Sequence, residues 1–151
     1  MKKVILCLSF TLFSGQAFAQ LEPYTDFDTS DDVTISTYVK VAENMIPYYL
    51  EGISKTWVPA MKYSQQQGYV KSWNVMVSDL AESGNFNVIL NITYKDDAAA
   101  RGNEEQYKKV EAYVRNNILS DEESDEIVQN KYPNMRKIVG EYRIRNVIFK
   151  N

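Results

Sequence analysis

The sequence contains no histidine and a single cysteine, Cys7. Serine–histidine and cysteine–histidine nucleophilic relays are therefore excluded by composition. Zinc and redox-metal centres built on imidazole or thiolate go with them, leaving only oxygen donors. An excess of positive charge is also missing. Seventeen Lys+Arg stand against twenty Asp+Glu, a net charge of −3 and a pI near 5.1, so the chain lacks the field that nucleic-acid binding needs. Glycine and proline are few, six and four. With 44% apolar and 25% charged residues over 151 positions, the composition is that of one globular domain, not of a collagen-like, disordered or coiled-coil chain.

A long apolar run is absent as well. The longest, Val4 to Phe13 with Ser9 and Thr11 inside it, is about half of the ~20 residues a spanning helix requires. Met1-Lys2-Lys3 precedes it and Ala17-Phe18-Ala19 follows, small residues at the −3 and −1 positions of a cleavage site. This is the pattern of an export signal over residues 1–19. Leu6 before Cys7, where a lipoprotein needs a small residue, argues against lipid attachment. Cleavage removes Lys2, Lys3 and Cys7 and leaves an acidic chain with neither thiol nor imidazole. The expected location is the bacterial periplasm or the exterior, with no membrane contact after cleavage. The Asn91-Ile92-Thr93 triplet matches a glycosylation acceptor but falls inside an expected strand.

Residues 20–32 are polar and acidic with no periodicity, and read as a flexible lead-in to a domain over 33–151. From Val33 the chain alternates: Val33, Ile35, Val39 and Val41 face one way, Thr34, Ser36, Tyr38 and Lys40 the other, a half-buried strand. Ile46, Leu50, Ile53, Trp57 and Met61 then recur at helical spacing up to Gly68, a helix that Pro59 should kink or split. Two alternating runs, Tyr69–Ser78 and Phe86–Tyr94, flank a loop containing Gly84. A helical stripe of Tyr107, Val110, Val114 and Ile118 follows. Ser120 and Glu123 form a capping box for a short helix that Pro133 should end. A last strand, Ile138–Phe149, sets Ile138, Tyr142, Ile144 and Ile148 against Glu141, Arg143 and Arg145. The order β-α-β-β-α-(α)-β predicts an α+β, ferredoxin-like fold: a four-stranded antiparallel sheet with its helices on one face. The other face, with Tyr38, Met76 and Ile89, is left uncovered.

Several segments resemble the dimeric α/β-barrel superfamily: Tyr38-Val39-Lys40-Val41, Pro47-Tyr48-Tyr49-Leu50, Trp57-Val58-Pro59, Gln67-Gly68-Tyr69-Val70-Lys71-Ser72-Trp73, and Tyr94-Lys95-Asp96. The resemblance implies a homodimer in which two open sheet faces enclose a barrel-like cavity. Members of that superfamily include cofactor-free monooxygenases, heme enzymes, isomerases and many uncharacterised proteins, so the likeness transfers no single activity. Its heme-binding members mostly ligate iron through histidine, so the resemblance implies neither heme nor copper here, and no cofactor is expected.

Acid–base chemistry would fall to carboxylates, Lys or Tyr. The best such set is Tyr38 on the first strand with Glu141 and Arg143 on the last, against the plainer reading of a surface ion pair. The expected ligand-lining residues are Tyr49, Trp57, Trp73 and Asn91, the aromatic ones being equally suited to a core. The acidic run Asp26, Asp28, Asp31, Asp32 lacks the glycine turn and terminal glutamate of a calcium loop, and no metal site is expected. The function expected is that of a small-ligand-binding or structural dimer for a small apolar or aromatic ligand. The rivals are a cofactor-independent monooxygenase- or isomerase-like enzyme for a small aromatic or polyketide-like acid, and an interaction module for another envelope protein.

Overall fold

Alternation, capping residues and proline positions translate directly into secondary structure. The computed structural model describes residues 20–79 and 84–150. In chain order its elements are β1 Phe27–Thr29, β2 Val33–Val41, α1 Ile46–Lys55, α2 Trp57–Gln66, β3 Ser72–Val77, β4 Val88–Tyr94, α3 Asp97–Ala100, α4 Glu104–Asn117 and α5 Asp121–Asp125. A π-helical turn over Glu126–Lys131, α6 Tyr132–Met135, β5 Arg136–Ile144 and β6 Val147–Phe149 follow. The expected export signal with Cys7, and part of the expected loop between Asp79 and Asn85, lie outside the described residues.

Local chemistry accounts for the boundaries. Pro59 cannot donate to the Lys55 carbonyl, so the long helix divides at Thr56 and Pro59 falls in the first turn of α2. Gly68, at φ +71°, takes the left-handed position after α2. Asp96 and Asn103 cap α3 and α4 through backbone N–H groups. The Ser120–Glu123 capping box is complete. Pro133 does not end the helical run, contrary to the sequence expectation. The π turn before it places Pro133 in the first turn of α6, where a missing N–H costs nothing, and the helix continues to Met135.

The main sheet has the order β3-β4-β2-β5, antiparallel throughout. That is the ferredoxin-like arrangement, with the first and third of its strands in the centre. Val39, Val41 and Val88 point to the helical side and are fully buried with Tyr49 and Ile53 of α1 and Tyr132 of α6. Leu50, Trp57, Val75 and Leu90 pack around them. Each such aliphatic side chain contributes about 1.5–3 kcal/mol by leaving water. At the end of β2, Asn87 stands in for a strand neighbour. Its Oδ1 accepts from Val41 N (2.7 Å) and its Nδ2 donates to the Val41 carbonyl (2.8 Å), so this buried backbone stays paired.

The last strand is interrupted. Tyr38 pairs with Gly140 and Val39 with Ile138, so Val139 is an extra residue in β5. Beyond Ile144 the chain re-forms as β6, which pairs with β1 in a separate two-stranded ribbon. The acidic segment whose composition suggests an unstructured lead-in thus contributes a strand. Ribbon and sheet are successive stretches of one antiparallel pair, β1–β2 against β5–β6. Arg145 ties the junction, donating to the carbonyls of Ser30 (2.7 Å) and Asp31 (3.1 Å).

Candidate functional site

Because side chains alternate along a strand, register decides which residues meet on each face of the sheet. On the bare face, three rows run across the strands: Thr34 with Thr93 and Ser72, Ser36 with Asn91 and Asn74, and Tyr38 with Ile89 and Met76. β5 adds Ile144, Tyr142 and Gly140 to these rows in turn. The first two rows are polar and internally bonded. Thr34 and Thr93 hydroxyls lie 2.9 Å apart, Ser36 Oγ donates to Asn91 Oδ1 (2.6 Å), and Asn91 Nδ2 donates to Asn74 Oδ1 (2.8 Å).

The third row is apolar and opens into a hollow of about 580 Å³, lined by Tyr38, Asn85, Phe86, Val139, Tyr142 and Ile144. The Tyr38 ring stands edge-on to Phe86 (4.6 Å between centroids, 79°) and to Tyr142 (5.2 Å, 89°). Gly140 makes this possible. A Cβ there would come within 2.8 Å of Tyr142 Cε2, so the Tyr142 ring occupies the space a side chain would take. Among the described residues, no charged side chain lines the hollow. Its size is within the range of small-molecule sites.

The expected acid–base set is not assembled. Tyr38 is on the bare face, whereas Glu141 and Arg143 pair with Thr37 and Ile35 and so point to the helical side. Glu141 accepts a hydrogen bond from Thr37 Oγ1 (3.1 Å). Arg143 and Arg145 both pair with Asp97 at the start of α3. The plainer reading of a surface ion pair holds for Arg143 with Asp97, but not between Arg143 and Glu141, whose hydrogen bond is to Thr37.

The expected lining residues are also divided. Tyr49 is buried, its ring 5.4 Å from Tyr132, with the Arg136 guanidinium 5.6 Å and 4.9 Å from the two ring centroids. Burial pushes the Tyr49 hydroxyl pKa up, an effect the Arg136 charge opposes. Trp57 and Trp73 meet edge-to-face at 5.5 Å between α2 and β3. Only Asn91 is on the bare face, in the polar row beside the hollow. Sequence reasoning misses Phe86, Val139 and Tyr142 as lining residues. The alternation does place Tyr142 and Ile144 opposite Glu141, but nothing in the sequence marks the extra residue at Val139.

A second hollow of about 460 Å³ lies between α2 and α4. Arg115 at its rim is already paired with Glu111 (3.3 Å) and Asp121 (2.8 Å). Among the described residues, no three His, Cys, Asp or Glu side chains converge as a metal site would require. No described helix is long and apolar enough to cross a membrane.

No family model matches the chain, and no curated protein does. Solved structures do. One is a protein from Shewanella oneidensis, at 10% identity and TM-score 0.49, the match covering 82% of this chain and 99% of that one. Another is a nipsnap family protein with unknown function from Agrobacterium tumefaciens, at 12% identity and TM-score 0.47, covering 80% and 92%. A third is a dimeric protein of unknown function and ferredoxin-like fold from Bacteroides fragilis, at 6% identity and TM-score 0.40, covering 81% and 99%.

Proposed function

We propose that the chain is an exported, homodimeric binding protein for a small uncharged apolar ligand. Two copies pack their bare sheet faces together, in the manner of a dimeric α/β barrel, and the ligand occupies the Tyr38–Phe86–Tyr142 hollow. One observation carries this reading. On a sheet whose other face is covered, Met76 remains 53% exposed on the bare face, and Tyr142 and Ile144 remain 57% and 47% exposed around a hollow with no charged side chain among its described lining. Apolar surface gathered on one face stabilises association when it is removed from water. The lack of charge among its described lining residues selects the ligand, since a carboxylate or phosphate would lose its hydration there without a cationic partner.

The test is light scattering on the chain from Gln20 onward, with titration by a neutral naphthylamine dye. The reading requires a dimer that binds the dye, and Tyr142→Asp should give a folded monomer that does not. A wild-type monomer at micromolar concentration overturns it. Export is tested separately by intact mass of protein recovered from the periplasmic fraction, which should begin at Gln20.

A further inference from the structure

The β1–β6 ribbon is left over from the fold as one protomer shows it. A two-stranded ribbon is at best marginally stable in water without something to pack against. Yet this one presents apolar side chains outward: Tyr24 is 82% and Phe149 67% exposed, with Val147 and Ile148 about half exposed. As a continuation of the β2–β5 pair beyond Thr34 and Ile144, it extends from that end of the sheet.

The ribbon and the chain on either side of β1 are also acidic, with Glu22, Asp26, Asp28 and Asp31 against Lys150, which pairs with Asp28 at 2.9 Å. At the opposite end of the sheet, Lys40 and Lys137 sit directly across from each other. Like charges in that position are destabilising. Lys40 Nζ donates to the Gly84 carbonyl (2.9 Å), and among the described residues neither lysine meets a carboxylate.

Resting on the dimer proposed above, we infer that the ribbon is an arm each copy lays across its partner. The acidic arm of one copy covers the Lys40–Lys137 end of the other. A two-fold axis lying in the interface, perpendicular to the strands, brings those opposite ends together. Area favours a second copy as the occupant. Four strands about 4.8 Å apart over some seven residues project roughly 450 Å², against about 800 Å² per partner in a typical stable interface. Tyr24 and Phe149 alone add on the order of 300 Å². Charge disfavours the other taker of an apolar arm, an anionic lipid surface, which would repel these carboxylates.

The chain from Gln20 onward has no cysteine, so paired cysteines report cleanly. Thr29→Cys and Lys137→Cys, placed in one chain, lie far apart along the strands: Thr29 is in the ribbon opposite Val147, and Lys137 is opposite Lys40 near the far end of β2. The nine residues of β2 span about 30 Å, far beyond disulfide reach. Mild oxidation should therefore cross-link this variant only between copies. A dimer in light scattering without cross-links overturns the arm and leaves the dimer standing. A monomer removes both. Co-sedimentation with phosphatidylglycerol vesicles in place of cross-linking assigns the arm to lipid and overturns the inference. Independently, Lys40→Glu with Lys137→Glu should weaken the dimer on the order of tenfold or more, and adding Asp26→Lys with Asp28→Lys should restore it. Unchanged dimerisation in the reversed variant overturns the inference.

Discussion

The covered and bare faces of the sheet are built from the same strands, one residue out of phase, and different forces hold them. On the covered face, Val39, Val41, Val88 and Tyr49 are excluded from water and each is surrounded by neighbours. On the bare face, stability within one protomer comes from cross-strand pairs. These are the Ser36–Asn91–Asn74 chain and the edge-on rings of Tyr38, Phe86 and Tyr142, each pair contributing about 0.2–1 kcal/mol. The first face makes the fold; the second is left uncovered in one protomer and is the face proposed to bind. Substitutions should therefore separate into those that unfold the protein and those that only change what it binds.

Tyr49→Ala should show the largest effect, about 3–5 kcal/mol lost in urea unfolding, because a buried ring leaves a cavity that α1 cannot close. A loss below about 1 kcal/mol would mean that the covered face is not the stabilising one. Next comes a matched pair of glycines. At Gly52 a Cβ would come within 2.8 Å of Tyr132 Cε1. Tyr132 is buried and its hydroxyl is bonded to Thr56 Oγ1 at 2.7 Å, so Gly52→Ala should cost about 1–3 kcal/mol. At Gly140 the same 2.8 Å approach is to Tyr142, whose ring can swing into solvent. Gly140→Ala should leave the protomer's stability within about 0.5 kcal/mol and still reshape the hollow, which dye binding would detect. Equal costs at the two glycines would erase the distinction between the faces.

The smallest effect is a pH dependence. Burial raises the Tyr49, Tyr94 and Tyr132 hydroxyls above the usual tyrosine range. A raised folded-state pKa means that the unfolded chain releases its proton first as pH climbs. The associated stability is thus intact below about pH 10 and drains away above it. Tyr49→Phe should shift the alkaline unfolding midpoint upward, and an unmoved midpoint would mean that the buried Tyr49 hydroxyl does not limit stability at high pH.

Much of the covered face is legible in the sequence, because burial imposes periodicity. Val33, Val39 and Val41 announce a strand, Ile46, Leu50 and Ile53 a helix, and Pro59 the point where that helix divides. The bare-face row of Tyr38, Ile89 and Met76 is legible for the same reason in mirror image. The candidate site is harder to read. Grouping Tyr38 with Glu141 and Arg143 requires the register between first and last strands, and one residue of slip moves a side chain to the other face. The bulge at Val139 sets that register, and Val139 is an ordinary valine in the sequence. The strand in the acidic lead-in is hidden for a related reason: Phe27-Asp28-Thr29 acquires its conformation from Val147–Phe149, far away in the chain.

The pairing of Trp57 with Trp73 has an optical consequence. These are the chain's two tryptophans, and both lie on the covered side, 5.5 Å apart and nearly perpendicular. Indole emission therefore registers the seating of α2 on β3 and is blind to events across the sheet. An emission spectrum that stays constant while tyrosine signals change would identify a ligand arriving on the far side, with no label attached to either.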